Sequence, residues 1–356
     1  MRPAVRPDLR RLSGYHSALV DVEVRLNTNE SPFGPPEAWR TELTAAVARL
    51  DLNRYPDRHV SALRHELAQH HGVAVEQVYC ANGSNEVLQS LLLAYGGPGR
   101  TVAVFEPTYQ LHAHIARITG TDVAVGQRTD DHALDLAEVA RVLADSKPVM
   151  TFLCSPNNPT GRAEPAEVVD AVAALAPGLL VVDEAYGQFA RTTALERLKH
   201  ERPEDAVTVV VRTFSKTWSM AGVRLGYLVG PPEVVEACQA VTLPYHLDAV
   251  KQEAGRLALR YTAEMEARVA LLVEERGRVA ARFGSLPVDT WPSDANFILF
   301  RPRNRTASAV WNGLVERSVL VRDCSTWPGL SGCLRVTVGT PEENDRFLEA
   351  LEACLQ

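Results

Sequence analysis

Four short runs of apolar, β-branched residues occupy the middle of the chain: Thr101–Phe105, Val149–Cys154, Leu179–Val182 and Val207–Val211. Each is bounded by Gly, Pro or Asn, and longer stretches of helical periodicity separate them. None alternates with polar residues, so a strand made from any of them is apolar on both faces. Such strands are stable inside a mainly parallel sheet covered by helices, which predicts an α/β fold. Open sheets of this kind bind ligands outside the carboxyl ends of their strands.

Beyond this middle region, Ala249 to Phe283 is free of proline and carries apolar residues at three- and four-residue spacing, which predicts one long helix joining two domains. Strand patterns follow at Ala295–Phe300, Val319–Arg322 and Leu334–Val338, with a helix at Ser308–Arg317 and a closing helix led by Pro341. The expected division is a large domain over residues 50–245 and a smaller α+β domain from residues 1–49, an N-terminal arm, and 246–356. With 356 residues, 46% of them apolar, the chain can bury two such cores.

The net charge of -7, with Lys and Arg scattered singly or in pairs, leaves no footprint for nucleic acid. Six cysteines lie far apart with no C-x-x-C pair, which predicts reduced thiols in a cytoplasm rather than disulfides or a metal site. No apolar run is long enough to span a membrane, and Met1 to Leu12 has no export-signal core.

Chemistry gathers at the strand ends. Lys216, in Ser215-Lys216-Thr217, follows the last apolar run, where desolvation would lower its pKa and free a neutral amine to attack an aldehyde. A lone loop lysine is usually a solvated surface group, so its companions carry the argument. Asp183 ends another run, and a buried carboxylate there needs a cationic partner such as a protonated pyridine nitrogen, unless it merely caps a helix. Asn82-Gly83-Ser84-Asn85-Glu86 opens a helix and suits a phosphate, though an ordinary N-cap has the same composition. Ser155-Pro156-Asn157-Asn158-Pro159-Thr160-Gly161 is a rigid turn able to fix an Asn side chain. No G-x-G-x-x-G follows any predicted strand, which disfavours a nicotinamide-binding protein.

Asn-Pro-x-Gly, Asp-x-x-Tyr, Ser-Lys and an Arg eight residues later, in this order, resemble the fold-type-I aminotransferases of the aspartate aminotransferase superfamily. The resemblance implies a mainly parallel seven-stranded sheet flanked by helices and pyridoxal 5′-phosphate as cofactor. On it, Lys216 would hold the cofactor as a Schiff base and shuttle the proton. Asp183 would pair with the pyridine nitrogen, and Tyr186 and Asn158 would hydrogen-bond the ring oxygen. Ser84, Asn85, Ser215 and Arg224 would hold the phosphate, with Tyr109 stacked on the ring.

Leu26-Asn27-Thr28-Asn29-Glu30, Arg54-Tyr55-Pro56-Asp57 and Leu334-Arg335-Val336-Thr337-Val338-Gly339 narrow the resemblance to histidinol-phosphate aminotransferases, similar to the actinobacterial branch. Implied with it are histidinol phosphate and 2-oxoglutarate as substrates in histidine biosynthesis, and a homodimer in which Tyr55 reaches the neighbouring subunit's cofactor phosphate. Tyr15, Asn29, Arg322 and Arg335 would bind substrate. Gly14 stands where relatives commonly have Pro. His112 and His114 are read as ordinary surface or substrate-proximal residues, because an i, i+2 pair on a helix faces two ways and makes no metal site. The competing readings are an aromatic amino-acid or pathway-specific aminotransferase, a lyase resembling threonine-phosphate decarboxylase, and a non-catalytic sensor module.

Overall fold

The structure is a computed structural model that describes residues 4–10, 12, 14, 18–200 and 204–356. Its strands are β1 (Val24–Leu26), β2 (Val78–Ala81), β3 (Thr101–Glu106), β4 (Asp122–Gln127), β5 (Met150–Cys154), β6 (Leu179–Asp183), β7 (Thr208–Thr213), β8 (Gly226–Val229), β9 (Val288–Thr290), β10 (Phe297–Pro302), β11 (Val319–Asp323) and β12 (Leu334–Thr337). The helices before the first domain crossing are α1 (Glu37–Val47), α2 (Ser61–His71), α3 (Ser84–Tyr95), α4 (Gln110–Ile118), α5 (Leu136–Ser146), α6 (Ala166–Leu175) and α7 (Pro232–Val241). Then come α8 (Ala249–Ala258), α9 (Thr262–Phe283), α10 (Ala307–Glu316) and α11 (Pro341–Leu355).

The expected seven-stranded sheet is present, in the order β2-β8-β7-β6-β5-β3-β4. Every pairing is parallel except those of β8, which runs antiparallel to both β2 and β7. The central strands β5, β6 and β7 are buried at every position. Their alternate residues therefore feed two cores, Val181 and Val209 on one face and Val182 and Val210 on the other. Edge strand β4 is different, with Asp122, Val125 and Gln127 exposed, so it lacks the continuous apolar signature of its neighbours.

A second sheet has the order β1-β11-β12-β10-β9, with β1 parallel to β11 and the other pairs antiparallel. It packs through Ile298, Phe300, Val319 and Val336 onto Phe283, Phe347 and Leu351 of α9 and α11. Helix α1 does not join that core. Trp39 and Ala46 instead pack with Leu63, Leu67, Leu225 and Leu257, beside the seven-stranded sheet.

The single helix expected from Ala249 to Phe283 is two. A 3-10 turn at Leu259–Tyr261 separates α8 from α9. The apolar spacing continues through it, so the break is tertiary in origin. Trp39 Nε1 donates to the Ala254 carbonyl at 3.1 Å and Tyr261 donates to Glu42 at 2.8 Å, tying α8 to α1, while α9 leaves to cover the second sheet. Among the described residues no helix is long and apolar enough to cross a membrane.

Candidate active site

A cavity of about 210 Å³ opens at the carboxyl ends of β3, β5, β6 and β7, beside the start of α3. Nine of the residues singled out in the sequence line it: Ser84, Asn85, Tyr109, Asn158, Asp183, Tyr186, Ser215, Lys216 and Arg224. A larger cavity of about 320 Å³ lies under α6, but its buried carboxylates Glu164 and Glu184 are already ion-paired with Arg128 and Arg212. The reactive groups lie in the smaller one.

At one end the polypeptide makes an anion seat. Gly83 has φ +84°, and a Cβ there would stand 2.7 Å from Arg224 Nη2, so only glycine lets the guanidinium close on the N-terminus of α3. Gly226 likewise has no room for a side chain, since a Cβ would come within 2.3 Å of the Ser84 nitrogen. Arg224 Nη1 donates to Ser215 Oγ at 3.2 Å, and Thr213 donates to the same oxygen at 2.9 Å. The cation, the hydroxyls and the positive end of the α3 dipole converge on one volume.

Lys216 follows β7, half-buried, its Nζ donating to the Thr28 carbonyl at 3.1 Å and lying 5.7 Å from the Tyr186 ring centroid. Burial pushes its amine down to about 8, reinforced by the Arg335 and Arg224 cations and opposed by Glu30. Asp183 ends β6 with 1% of its surface exposed. One oxygen accepts the Ala185 N–H at 3.1 Å, as a cap would. The other lies 3.0 Å from His112 Nε2.

That contact corrects the reading of His112 as a surface residue. It is fully buried, stacked on Phe152 at 4.9 Å and edge-on to Tyr109 at 5.3 Å. Its Nδ1 is buried without a partner, so Asp183 is the group that holds the ring. The available signal was spacing: three residues after Tyr109 on α4, His112 shares the face that Tyr109 turns to the cavity. His114 is partly exposed, off that buried face. Tyr109 itself donates to Asn85 Oδ1 at 3.2 Å.

Behind the lining residues Tyr186 and Asn158 stand side chains brought in by the second sheet and the segment after β1, outside the cavity surface. Tyr186 is buried with its hydroxyl 3.0 Å from Asn29 Nδ2, and burial raises its pKa, so it keeps its proton. Asn29 is 1% exposed and lies behind Tyr186 rather than on the cavity surface. Arg335, on β12, donates from Nη1 to Asn158 Oδ1 and from Nη2 to the Asn27 carbonyl at 2.9 Å, leaving Nε buried without a partner. Arg322 faces Arg335 directly across the strand pair and lies over the Trp327 ring at 5.7 Å. Tyr55 is 80% exposed and stacked on Tyr245 at 4.4 Å, away from this cavity, and Tyr15 lies outside the described residues. Among the described residues no group of three His, Cys, Asp or Glu side chains could hold a metal.

The donor set fits pyridoxal phosphate: an anion seat at one end, a buried carboxylate at the other, an aromatic ring, and an amine of lowered basicity between them. The chain belongs to the class I and II aminotransferases, whose family profile matches residues 21–351, and enzymes of this class depend on that cofactor. In sequence it is 45% identical to the histidinol-phosphate aminotransferase of Frankia casuarinae over 98% of this chain and 89% of that one. To the enzyme of the same name from Streptomyces avermitilis it is 46% identical, over 98% and 95%. In structure it matches histidinol-phosphate aminotransferase from Sinorhizobium meliloti in complex with pyridoxal-5′-phosphate, with a TM-score of 0.88 at 23% identity over 99% and 97% of the two chains. At that identity the likeness speaks for the fold.

Proposed function

We propose that the protein is a histidinol-phosphate:2-oxoglutarate aminotransferase of histidine biosynthesis, with Lys216 as its catalytic amine. The observation that carries this is the Lys216 side chain, lowered to about 8 inside a cavity that ends on a buried Asp183. Relatives of that name at 45% and 46% identity over nearly the whole chain support the substrate.

When bound, pyridoxal phosphate supplies an electron sink for the charge left on the substrate carbon. Lys216 would take the proton from that carbon and deliver it to the cofactor's former aldehyde carbon, across the nitrogen between them, which a neutral amine near pH 8 can do. Asp183, held by His112, would pair with the pyridine nitrogen and keep its proton in place. Ser84, Asn85, Ser215 and Arg224 would hold the phosphate, Tyr109 would stack on the ring, and Tyr186 and Asn158 would donate to its oxygen. Arg335 and Arg322 form the substrate's anion site. Arg322 and Arg335 stand opposite one another on adjacent strands, a like-charge pairing whose cost an oxyanion bound between them would relieve. Phosphate and carboxylate both satisfy this pair, as two alternating substrates require. Tyr15 completes the substrate side of the reading, whereas Asn29, expected there, is held behind Tyr186 by buried hydrogen bonds.

The same reading makes the protein a homodimer. Tyr55, Tyr245, Leu52 and Leu243 form an exposed apolar surface, 80%, 39%, 72% and 78% accessible, which a second copy would cover while Tyr55 reaches that copy's phosphate seat. The cofactor domain over residues 50–245 takes in α1 and α8 as well, which pack beside its sheet, and the second sheet with α9, α10 and α11 makes the smaller domain. The six cysteines are all free thiols, which suits a cytoplasmic enzyme.

Mixing the holoenzyme in turn with histidinol phosphate, phenylalanine, tyrosine and threonine phosphate tests the substrate. Histidinol phosphate should bleach the cofactor absorption fastest, and 2-oxoglutarate should then yield glutamate. Preference for phenylalanine would overturn the substrate, and carbon dioxide release without an amino acceptor would overturn the reaction class.

A further inference from the structure

We propose that Thr337 and Asn29 are positioning residues that aim the Tyr186 hydroxyl proton into the cavity, toward the ring oxygen of the cofactor. The inference rests on the cofactor reading above and assigns a task to groups that do not line the cavity.

Thr337 is the last residue of β12, 3% exposed, and paired with Phe297 of β10. It stands two residues from Arg335, so both side chains leave the strand on one face. Its hydroxyl accepts the Asn29 backbone N–H at 3.0 Å and donates to Asn29 Oδ1 at 3.0 Å. These two bonds settle the direction of the Asn29 amide. With Oδ1 turned to Thr337, Nδ2 must face Tyr186, where it donates to the hydroxyl oxygen at 3.0 Å.

The reversed amide is worse on every count. Nδ2 would then crowd a hydroxyl that already receives a backbone N–H, and the Thr337 proton would lose its acceptor in a buried place. Oδ1 would face Tyr186 and draw the phenol proton inward, away from the cavity. In the observed direction the Tyr186 oxygen is already an acceptor on its inner side, so its proton is left for the outer one. Asn29 is held in a left-handed conformation, φ 55°, with its carbonyl accepting from Asn296 Nδ2 at 3.3 Å, so the strap cannot turn to relieve a lost bond. The chain Thr337, Asn29, Tyr186 is thus a one-way relay of hydrogen-bond polarity from the second sheet to the cavity.

The test follows the absorption of the bound cofactor against pH in the holoenzyme without substrate. A donor to the ring oxygen stabilises its negative charge and so competes with a proton on the neighbouring nitrogen. Losing that donor moves the midpoint upward. Thr337→Val should raise it by on the order of one pH unit, the worth of one hydrogen bond to a charged acceptor. Thr337→Ser should restore the wild-type midpoint. Combined with Tyr186→Phe, Thr337→Val should add nothing to the shift of Tyr186→Phe alone. If Thr337→Val does not fold, Thr337→Ala replaces it with the same expected direction. An unchanged midpoint, or additive shifts in the double variant, overturns the relay alone. A wild-type protein that binds no pyridoxal phosphate overturns the cofactor reading as well.

Discussion

At the cavity end of the site the polar side chains come from loops that follow or precede strands of one sheet, whereas the Arg335 end, outside the cavity lining, joins pieces more than 300 residues apart. Ser84 follows β2, Tyr109 follows β3, Asn158 follows β5, and Ser215 and Lys216 follow β7. Arg335 instead reaches the Asn27 carbonyl, 308 positions away, and Thr337 reaches Asn29 across the same separation. The first end is positioned by the register of a parallel sheet, which burial on both faces makes rigid. The second is held by a few buried hydrogen bonds between a strap and a strand. In the proposed reading cofactor chemistry thus stands on the stiffer half, and substrate selection on the half whose placement depends on how two sheets meet.

The variants expected to have the largest effects probe the stiff end. Lys216→Ala should remove turnover by at least about 10⁴-fold, as loss of a covalent catalytic group does, with the circular dichroism of the fold unchanged. Near-normal turnover would show that another amine does the work. Asp183→Ala should lower kcat by about 10²–10³-fold, the range for losing a preorganised charge at a reacting centre. A rate equal to wild type would remove Asp183 from the chemistry and leave the two ends alike.

Arg335→Lys should act more gently and selectively. It keeps a charge but not the planar fork, so kcat/KM for the phosphate substrate should fall by roughly 30-fold, about 2 kcal/mol. Bound cofactor should be retained, because the anion seat near Arg224 is built without it. Loss of cofactor in that variant would mean the two ends are one unit.

The smallest effect is a dependence on pH. The Lys216 amine sits at about 8 in the folded protein, below its ordinary 10.5. Between these values the unfolded chain binds more protons than the folded one, so stability rises with pH. Below about 8 the cost of the buried ammonium is fully present. The melting temperature of the cofactor-free wild type should therefore gain on that of Lys216→Ala as pH rises through this window. A difference flat with pH would place the amine in solvent.

How much of this was legible in the chain varied with the kind of signal. The central strands β3, β5, β6 and β7 announce themselves because burial on both faces makes them mostly apolar, as in Val102–Phe105, Leu179–Val182 and Val209–Val211. Edge strand β4 is half exposed, and β2 and β8, though apolar and buried throughout, are only four residues long, so pattern alone passes over them. Asp183, Asn158, Ser84 and Lys216 could be found because each stands at a strand end or turn whose local chemistry is unusual. His112 could not be placed as readily, since a helix position says which face a residue takes and not what lies beneath it.

The order of strands and helices, and the short motifs at the strand ends, were determined by the chain itself, because both follow from interactions between near neighbours. Where α8 and α9 part, which amide direction Asn29 takes, and that His112 stands behind Asp183 were decided only by the tertiary structure. Each depends on a partner far along the chain, and a hydrogen bond or packing contact of that kind has direction only once both groups are in place.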